Sequence, residues 1–114
     1  NITNLPLPEV LRGQVIADNL RSSQAAWEAW LDHGSRENIS ALMPAIDIPC
    51  QLLVGEHDRA ISPATQQRAT LPLLPAPGTS LQLVPGAGHL LPLEAPLAVV
   101  AALERAWSAV MRTL

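Results

Sequence analysis

Lysine is absent from this 114-residue sequence, and all seven of its positively charged side chains are arginines. The arginines are spread along the chain, and ten acidic residues bring the net charge to −3 at pH 7. Proteins that bind nucleic acid concentrate positive charge on one stripe or patch, which displaces the counterions of the phosphates. The sequence has no such stripe, so we do not expect nucleic acid as a partner.

Cysteine occurs only once, as Cys50, so the chain cannot form an internal disulfide. Small secreted domains commonly need several disulfides to hold a small core together. The single cysteine therefore gives no sign of a secreted framework and fits a reducing cytoplasm, which is the location we expect. We interpret Cys50 as an apolar residue that fills the core.

Long apolar runs are missing as well. A helix that crosses a bilayer needs about 18 consecutive apolar residues, whereas proline interrupts most apolar stretches of this chain. No signal peptide is recognisable, so we expect no membrane association. The sequence begins with Asn1 rather than Met, which we interpret as processing, truncation or a start inside a longer gene.

The amino-terminal part of the chain predicts three short helices. The first covers residues 8–20, and the second begins at a serine cap, Ser22 or Ser23, and ends at Gly34. A third helix is expected after Ser35, because apolar residues recur there at helical spacing. These apolar residues are Ile39, Leu42, Met43 and Ile46.

The later part of the chain alternates strands and helices. Residues 51–54 form an apolar run that ends at Gly55, and residues 80–84 form a second one. Between them, Ser62-Pro63 predicts the start of a helix that ends before Pro72. A strand, helix and strand in this order indicate a parallel pair joined by a crossover, in an α/β fold. Two strands are too few for a stable sheet, so we expect further strands upstream.

A last helix is predicted from Pro96 to about Arg112. Its large apolar residues share one side and its polar residues the other. The apolar side consists of Val99, Val100, Leu103, Trp107, Val110 and Leu114. We expect the helices to pack on the faces of the strand pair.

The two loops after the predicted strands contain the candidate functional residues. Side chains that carry function gather beyond the carboxyl ends of parallel strands, and neighbouring strands place their loops side by side. Asp58 follows the first strand and His89 follows the second. A carboxylate and an imidazole in these positions can form the orienting acid and the base of nucleophilic catalysis. On the residues alone, a histidine after a glycine-rich turn is about as often a helix cap.

These strands and loops resemble the last third of the α/β-hydrolase family. In that family an apolar strand runs into Gly-x-x-Asp, and a later strand runs into Pro-x-x-Gly-His. Here Gly55-Glu56-His57-Asp58 resembles the first motif, and Pro85-Gly86-Ala87-Gly88-His89 resembles the second. The resemblance implies that Asp58 is the acid and His89 the base of a catalytic triad, in the family's order of nucleophile, acid and histidine.

The resemblance also divides the chain. It implies that residues 1–46 are the end of the family's helical lid and that residues 47–114 are the carboxyl-terminal βαβα part of its core. The implied activity is hydrolysis of an ester, thioester or related bond in a small-molecule substrate, with no cofactor. No serine lies in a Gly-x-Ser-x-Gly nucleophile elbow. We therefore expect a nucleophile outside these residues, most simply Ser, with Asp or Cys left open, and no activity of the chain alone.

Other residues receive structural interpretations. Glu56 is an alternative acid two residues before the matched position, and His33 is expected to lie at the carboxyl end of the second helix. Trp27 and Trp30 share one stripe, which we expect to pack in the core or lid rather than to line a substrate pocket. The Cys, His and Asp residues lack the spacing of metal ligands, so no metal is expected.

A second functional hypothesis is non-catalytic. A chain of this kind can bind a ligand without turnover, as a receptor-like relative would, because site residues do not prove a rate. It can also associate with a second copy through the unpaired edge of the strand at residues 50–54.

Overall fold

The computed structural model describes residues 2–112. Its helices and strands are α1 (Glu9–Leu20), α2 (Gln24–Asp32), β1 (Gln51–Gly55), α3 (Pro63–Thr65), β2 (Ser80–Val84), α4 (Leu91–Glu94) and α5 (Pro96–Met111). Short 3₁₀ turns lie at Gly34–Arg36, Met43–Ala45 and Leu71–Leu73, and a π turn at Gln66–Thr70. No helix within the described residues combines the length and the apolar character that crossing a bilayer requires.

The two strands form a parallel pair. Gln51 lies opposite Ser80, and the register continues until Gly55 lies opposite Val84. Parallel strands need a crossover between them, and α3 with the turns that follow it provides this connection. Within residues 2–112 β1 pairs with β2 alone, so its other edge has no neighbouring strand there. The predicted α/β arrangement of a parallel pair, a crossover helix and flanking helices is confirmed.

The crossover begins as the sequence predicts. The Ser62 hydroxyl accepts a hydrogen bond from the Thr65 amide at 3.2 Å, and Pro63 occupies the first helical position. Proline is favoured there, because its missing N–H would have no partner inside the helix. The helical turns continue to Thr70 and end before Pro72, which lies in the first turn of the next 3₁₀ segment.

The first two predicted helices are present, and Ser23 is the cap of the second. Its hydroxyl accepts a hydrogen bond from the Ala26 amide at 3.4 Å. His33 lies at the carboxyl end of α2, where we expected it. The helix ends there with a backbone bond from His33 to the Ala29 carbonyl at 3.0 Å.

The third predicted helix, over residues 35–46, is wrong. The Ser35 hydroxyl donates to a carbonyl of α2 at 3.3 Å and does not cap a new helix. The Asn38 side chain accepts a hydrogen bond from the Ser40 amide at 3.0 Å, which favours a local turn over a helical backbone. Pro44 lacks the N–H that a helix interior requires. The apolar spacing of this segment therefore does not lead to a regular helix.

The buried core is small and lies near the carboxyl ends of the strands. Its central cluster consists of Val84, Ala87 and Leu91. The residues that pack against this cluster are Leu53, Ala95, Ala98 and Val99. Since Ala87 and Leu91 flank His89, the core supports the loop that carries the histidine.

Helix α5 packs against the core through its smaller side chains. Ala98 and Val99 contact the central cluster, and Ala102 is buried with 4% of its surface exposed. The exposed residues of α5 include Val100, Leu103, Trp107 and Val110. Of the predicted apolar side, only Val99 packs against the core within the described residues. Leu114 lies outside the described residues.

The beginnings of the two strands are joined by Cys50. Its amide donates to the Thr79 hydroxyl at 3.1 Å, and its carbonyl accepts from the Ser80 amide at 2.9 Å. The residue is half-buried rather than the core filler that we expected. Its link between the two strands is made by its backbone, and its thiol donates to the Ile48 carbonyl at 3.5 Å.

Candidate active site

The two loops that follow the strands are held together by backbone hydrogen bonds. The Glu56 amide donates to the Val84 carbonyl at 2.9 Å, and the His57 amide donates to the Ala87 carbonyl at 2.9 Å. These bonds continue the strand pairing beyond Gly55. Asp58 and His89 consequently emerge at the same edge of the sheet.

Gly55 allows this close approach. A Cβ atom at this position would overlap the carbonyl oxygen of Gly88 and would lie 2.6 Å from that of Ala87. Both obstacles are backbone atoms, which cannot rotate away as a side chain can. The sequence predicts Gly55 as the end of a strand and the first residue of the Gly-x-x-Asp motif, whereas the structure shows that a side chain here would separate the two loops.

Asp58 and His89 form a direct hydrogen bond. The distance between Asp58 Oδ2 and His89 Nδ1 is 2.9 Å. The Asp58 side chain is 7% exposed and that of His89 is 36% exposed, so the carboxylate lies below the imidazole. The structure thus brings together the two residues that the sequence selected, with the acid inside and the base at the surface.

The second oxygen of Asp58 is held by the backbone of its own loop. Oδ1 accepts hydrogen bonds from the amides of Ala60 and Ile61, each at 2.9 Å. The Asp58 amide donates to the Gly55 carbonyl at 3.1 Å. The loop therefore holds the carboxylate through bonds that do not involve His89.

The surroundings of Asp58 favour its ionised form. Burial acts to raise the pKa of the Asp58 carboxyl, but the hydrogen bonds from His89, Ile61 and Ala60, together with the charge of His89, lower it further. The net result is a pKa below the ordinary value for aspartate. An ionised carboxylate can only accept, so Nδ1 of His89 carries the proton and Nε2 of the neutral ring is a proton acceptor.

The histidine loop is shaped by a glycine turn and by Glu94. Gly86 has a φ angle of 71°, a backbone conformation that residues with a side chain rarely adopt. The Glu94 carboxylate accepts hydrogen bonds from the amides of Gly88 and Leu90, at 2.9 and 3.0 Å. Glu94 was not among the residues predicted for the site. Its position five residues after the histidine, just before α5, was the available signal.

The segment before α1 closes over the same loop. The His89 amide donates to the Ile2 carbonyl at 2.9 Å, and the Asn4 side chain donates to the Gly86 carbonyl at 2.8 Å. The Asn4 amide donates to Glu94 at 2.7 Å. Residues far apart in sequence thus meet at the histidine.

The alternative acid, Glu56, has other partners. Its Oε2 atom accepts from the Gly86 amide at 2.9 Å and lies 3.6 Å from Nε2 of His57. It makes no hydrogen bond to His89 in the described part of the chain, so the geometry favours Asp58 as the partner of the imidazole.

Two surface depressions lie in the amino-terminal part. A groove of about 320 Å³ runs along α2, where Trp27 and Trp30 are 43% and 57% exposed. The expected packing of these rings in a core or lid is therefore not seen within residues 2–112. A cavity of about 330 Å³ adjoins the histidine loop, lined by Ile2, Thr3, Pro6, Leu7, Arg12 and Leu90. The described residues contain no group of three His, Cys, Asp or Glu side chains that could hold a metal ion.

The Gly55→Ala variant should lose the arrangement of the two loops. The added methyl group overlaps the Gly88 backbone, so we expect the 114-residue chain to lose about 1–3 kcal/mol of unfolding free energy. Gly13→Ala is the matched control, because nothing lies within 4 Å of its Cβ position in α1. It should instead gain about 0.5–1 kcal/mol. Urea denaturation of both variants measures the difference, and equal stabilities would contradict the close approach.

The pKa of Asp58 should depend on His89. In His89→Ala the carboxyl stays partly buried but loses its imidazole partner, so we expect its pKa to rise. Titration of the side-chain carboxyl carbon by NMR measures this, with His57→Ala as the control that leaves the Asp58 pKa unchanged.

The same shift sets the sign of the stability change with pH. Because folding lowers the pKa of Asp58, its stabilising effect is present above the ordinary value of about 3.9 and is lost as the pH falls through the folded-state pKa. The part of the unfolding free energy that is lost at low pH should be smaller in His89→Ala. A pKa of Asp58 that is the same with and without the imidazole would contradict the assigned hydrogen bond.

The sequence matches a known family over most of its length. The profile described as the alpha/beta hydrolase family matches residues 3–103, which include both strands, both loops and half of α5. Comparisons with curated proteins and with solved structures gave no significant match. The family match covers far more than half of the chain and confirms the resemblance seen in the two loop motifs. The chain belongs to the alpha/beta hydrolase family.

Proposed function

We propose that Asp58 and His89 are the acid and the base of a catalytic triad that hydrolyses an ester, thioester or related bond in a small molecule. The observation that carries this proposal is the 2.9 Å hydrogen bond between Asp58 Oδ2 and His89 Nδ1. It orients the ring and leaves Nε2 without a hydrogen bond to residues 2–112. Membership of a family of hydrolases supports the reaction class.

In the proposed reaction, Nε2 of His89 accepts the proton of a nucleophile as the nucleophile attacks the carbonyl carbon of the substrate. The ionised Asp58 stabilises the imidazolium that forms. His89 then gives the proton to the leaving group, and an acyl-enzyme remains. A water molecule, deprotonated by the same Nε2, attacks the acyl group and releases the acid and the nucleophile.

The nucleophile of this reaction is not among the 114 residues. None of the serines lies in a Gly-x-Ser-x-Gly elbow. The proposal therefore assigns the nucleophile, most simply a serine, and the oxyanion hole to polypeptide that this sequence does not include. It also assigns residues 1–46 to the end of a lid and residues 47–114 to the core, in a cytoplasmic protein. A chain of these residues alone would lack activity, because its base has nothing to activate.

The test uses the full polypeptide encoded by the gene and a chromogenic ester. His89→Ala should lower kcat by about 10⁴–10⁶-fold, since the nucleophile loses its base. Asp58→Asn should lower it by about 10⁴-fold, because the ring then adopts the wrong tautomer. His57→Ala is the matched control and should change kcat by less than about twofold, because its imidazole contacts only Glu56 among the charged groups described. Full activity of His89→Ala would overturn the assignment of the base.

A second, non-catalytic candidate is self-association. One edge of β1 has no neighbouring strand within residues 2–112, and an unpaired edge is a template for another strand. Ile48, just before β1, is 64% exposed. Two copies related by a two-fold axis would pair their β1 strands antiparallel and bury this edge.

The mass of the 114-residue chain in solution tests this candidate. Size-exclusion chromatography with light scattering should give twice the 12.2 kDa of one chain. If the chain stays a folded monomer at the highest concentration measured, self-association is contradicted. That result would leave the catalytic proposal unchanged.

A further inference from the structure

Glu94 contacts both sides of the proposed base through the backbone. Its Oε1 atom accepts from the Gly88 amide at 2.9 Å, and its Oε2 atom accepts from the Leu90 amide at 3.0 Å. Gly88 and Leu90 are the residues immediately before and after His89. A third amide, that of Asn4, donates to Oε1 at 2.7 Å. One carboxylate thus holds three backbone donors.

These hydrogen bonds restrict the direction of the imidazole. Hydrogen bonds to an ionised carboxylate are stronger than those between neutral groups. Because one oxygen holds the Gly88 amide and the other holds the Leu90 amide, the backbone on both sides of the histidine is fixed. The direction of its Cα–Cβ bond follows from this backbone. The His89 amide is held separately, by the Ile2 carbonyl.

The contacts of Glu94 differ from those of a residue that caps α5. Glu94 is the last residue of the short helix α4 and lies two residues before α5 begins at Pro96. A cap of α5 would accept from the first amides of that helix, but α5 has no side-chain cap. Glu94 instead turns back to the histidine loop and to the segment before α1. Its partners therefore belong to the site rather than to the helix that follows.

We propose that Glu94 is a positioning residue, which acts through the histidine loop to keep Nδ1 of His89 against Asp58, and which ties the segment before α1 to this loop. The expected effect of Glu94 on turnover rests on the proposed function. The expected effect of Glu94 on the orientation of the His89 ring does not. Asp58 is already held by Ala60 and Ile61, so the position of the imidazole is the remaining variable of the pair.

The activity test uses the full polypeptide and the Glu94→Gln and Glu94→Ala variants. A glutamine amide keeps the shape but replaces one acceptor by a donor, so at least one of the three amides loses its partner. We expect kcat to fall about 10–100-fold in Glu94→Gln and further in Glu94→Ala, with KM changed less than about threefold, because a misplaced base slows the chemical step. Glu104→Ala, at an exposed position of α5, is the matched control and should keep kcat within about twofold.

A second measurement separates this role from the proposed function and from simple loss of folding. In the 114-residue chain, NMR of the His89 ring follows its Nδ1 proton, which the bond to Asp58 shields from exchange with water. Glu94→Gln should broaden or remove this signal while the amide spectrum stays that of a folded chain, and Glu104→Ala should retain it.

The outcomes test the positioning role of Glu94 and the proposed function separately. An unchanged Nδ1 signal in folded Glu94→Gln overturns the positioning role, even where activity falls. If His89→Ala keeps full activity but Glu94→Gln loses the Nδ1 signal, the proposed function fails and the positioning role stands. A kcat of Glu94→Gln within about twofold of the unmodified protein, with the signal lost, also overturns the effect on turnover.

Discussion

The close contact between the end of β1 and the loop after β2 is the constraint on which the site depends. Gly55 has no side chain, so the Gly88 carbonyl can lie where a Cβ atom would otherwise be. The parallel pairing then continues past the last strand residue, through the amides of Glu56 and His57. Without that approach the two loops would diverge, and no choice of acid and base would bring them within a hydrogen bond.

Backbone amides in fixed positions donate hydrogen bonds to the two carboxylates of the site. Asp58 is removed from water, which by itself disfavours its ionised form, yet two amides and the imidazole hold its pKa below the usual value. On the other side of the pair, Glu94 accepts hydrogen bonds from three backbone amides. Each half of the pair is thus prepared by its own loop before the two meet, which reduces the entropy lost in forming the bond. The core cluster of Val84, Ala87 and Leu91 supports the histidine loop.

The sequence predicted the strands, the crossover and the pair of Asp58 and His89, because these depend on local patterns: apolar runs, a Ser-Pro helix start and two loop motifs. It failed where two local preferences compete. The segment from 35 to 46 has helical spacing of apolar residues, but Asn38 and Pro44 favour turns. It also failed for α5, in which Trp107 is 68% exposed while Ala102 is buried. Periodicity identifies an apolar side, but not which part of that side fits against a neighbour.

By itself the sequence determined the two strands with their crossover, the family and the two residues of the candidate site, since hydrophobic spacing and short motifs are properties of neighbouring positions. Only the tertiary structure decided that Glu94 and the segment around Asn4 belong to the same site. Asn4 is 90 residues from Glu94 along the chain, and its bond to that carboxylate is made by a backbone amide, which every residue except proline carries. Such contacts leave no mark in the pattern of side chains, because the partner is chosen by where the folded chain places its backbone.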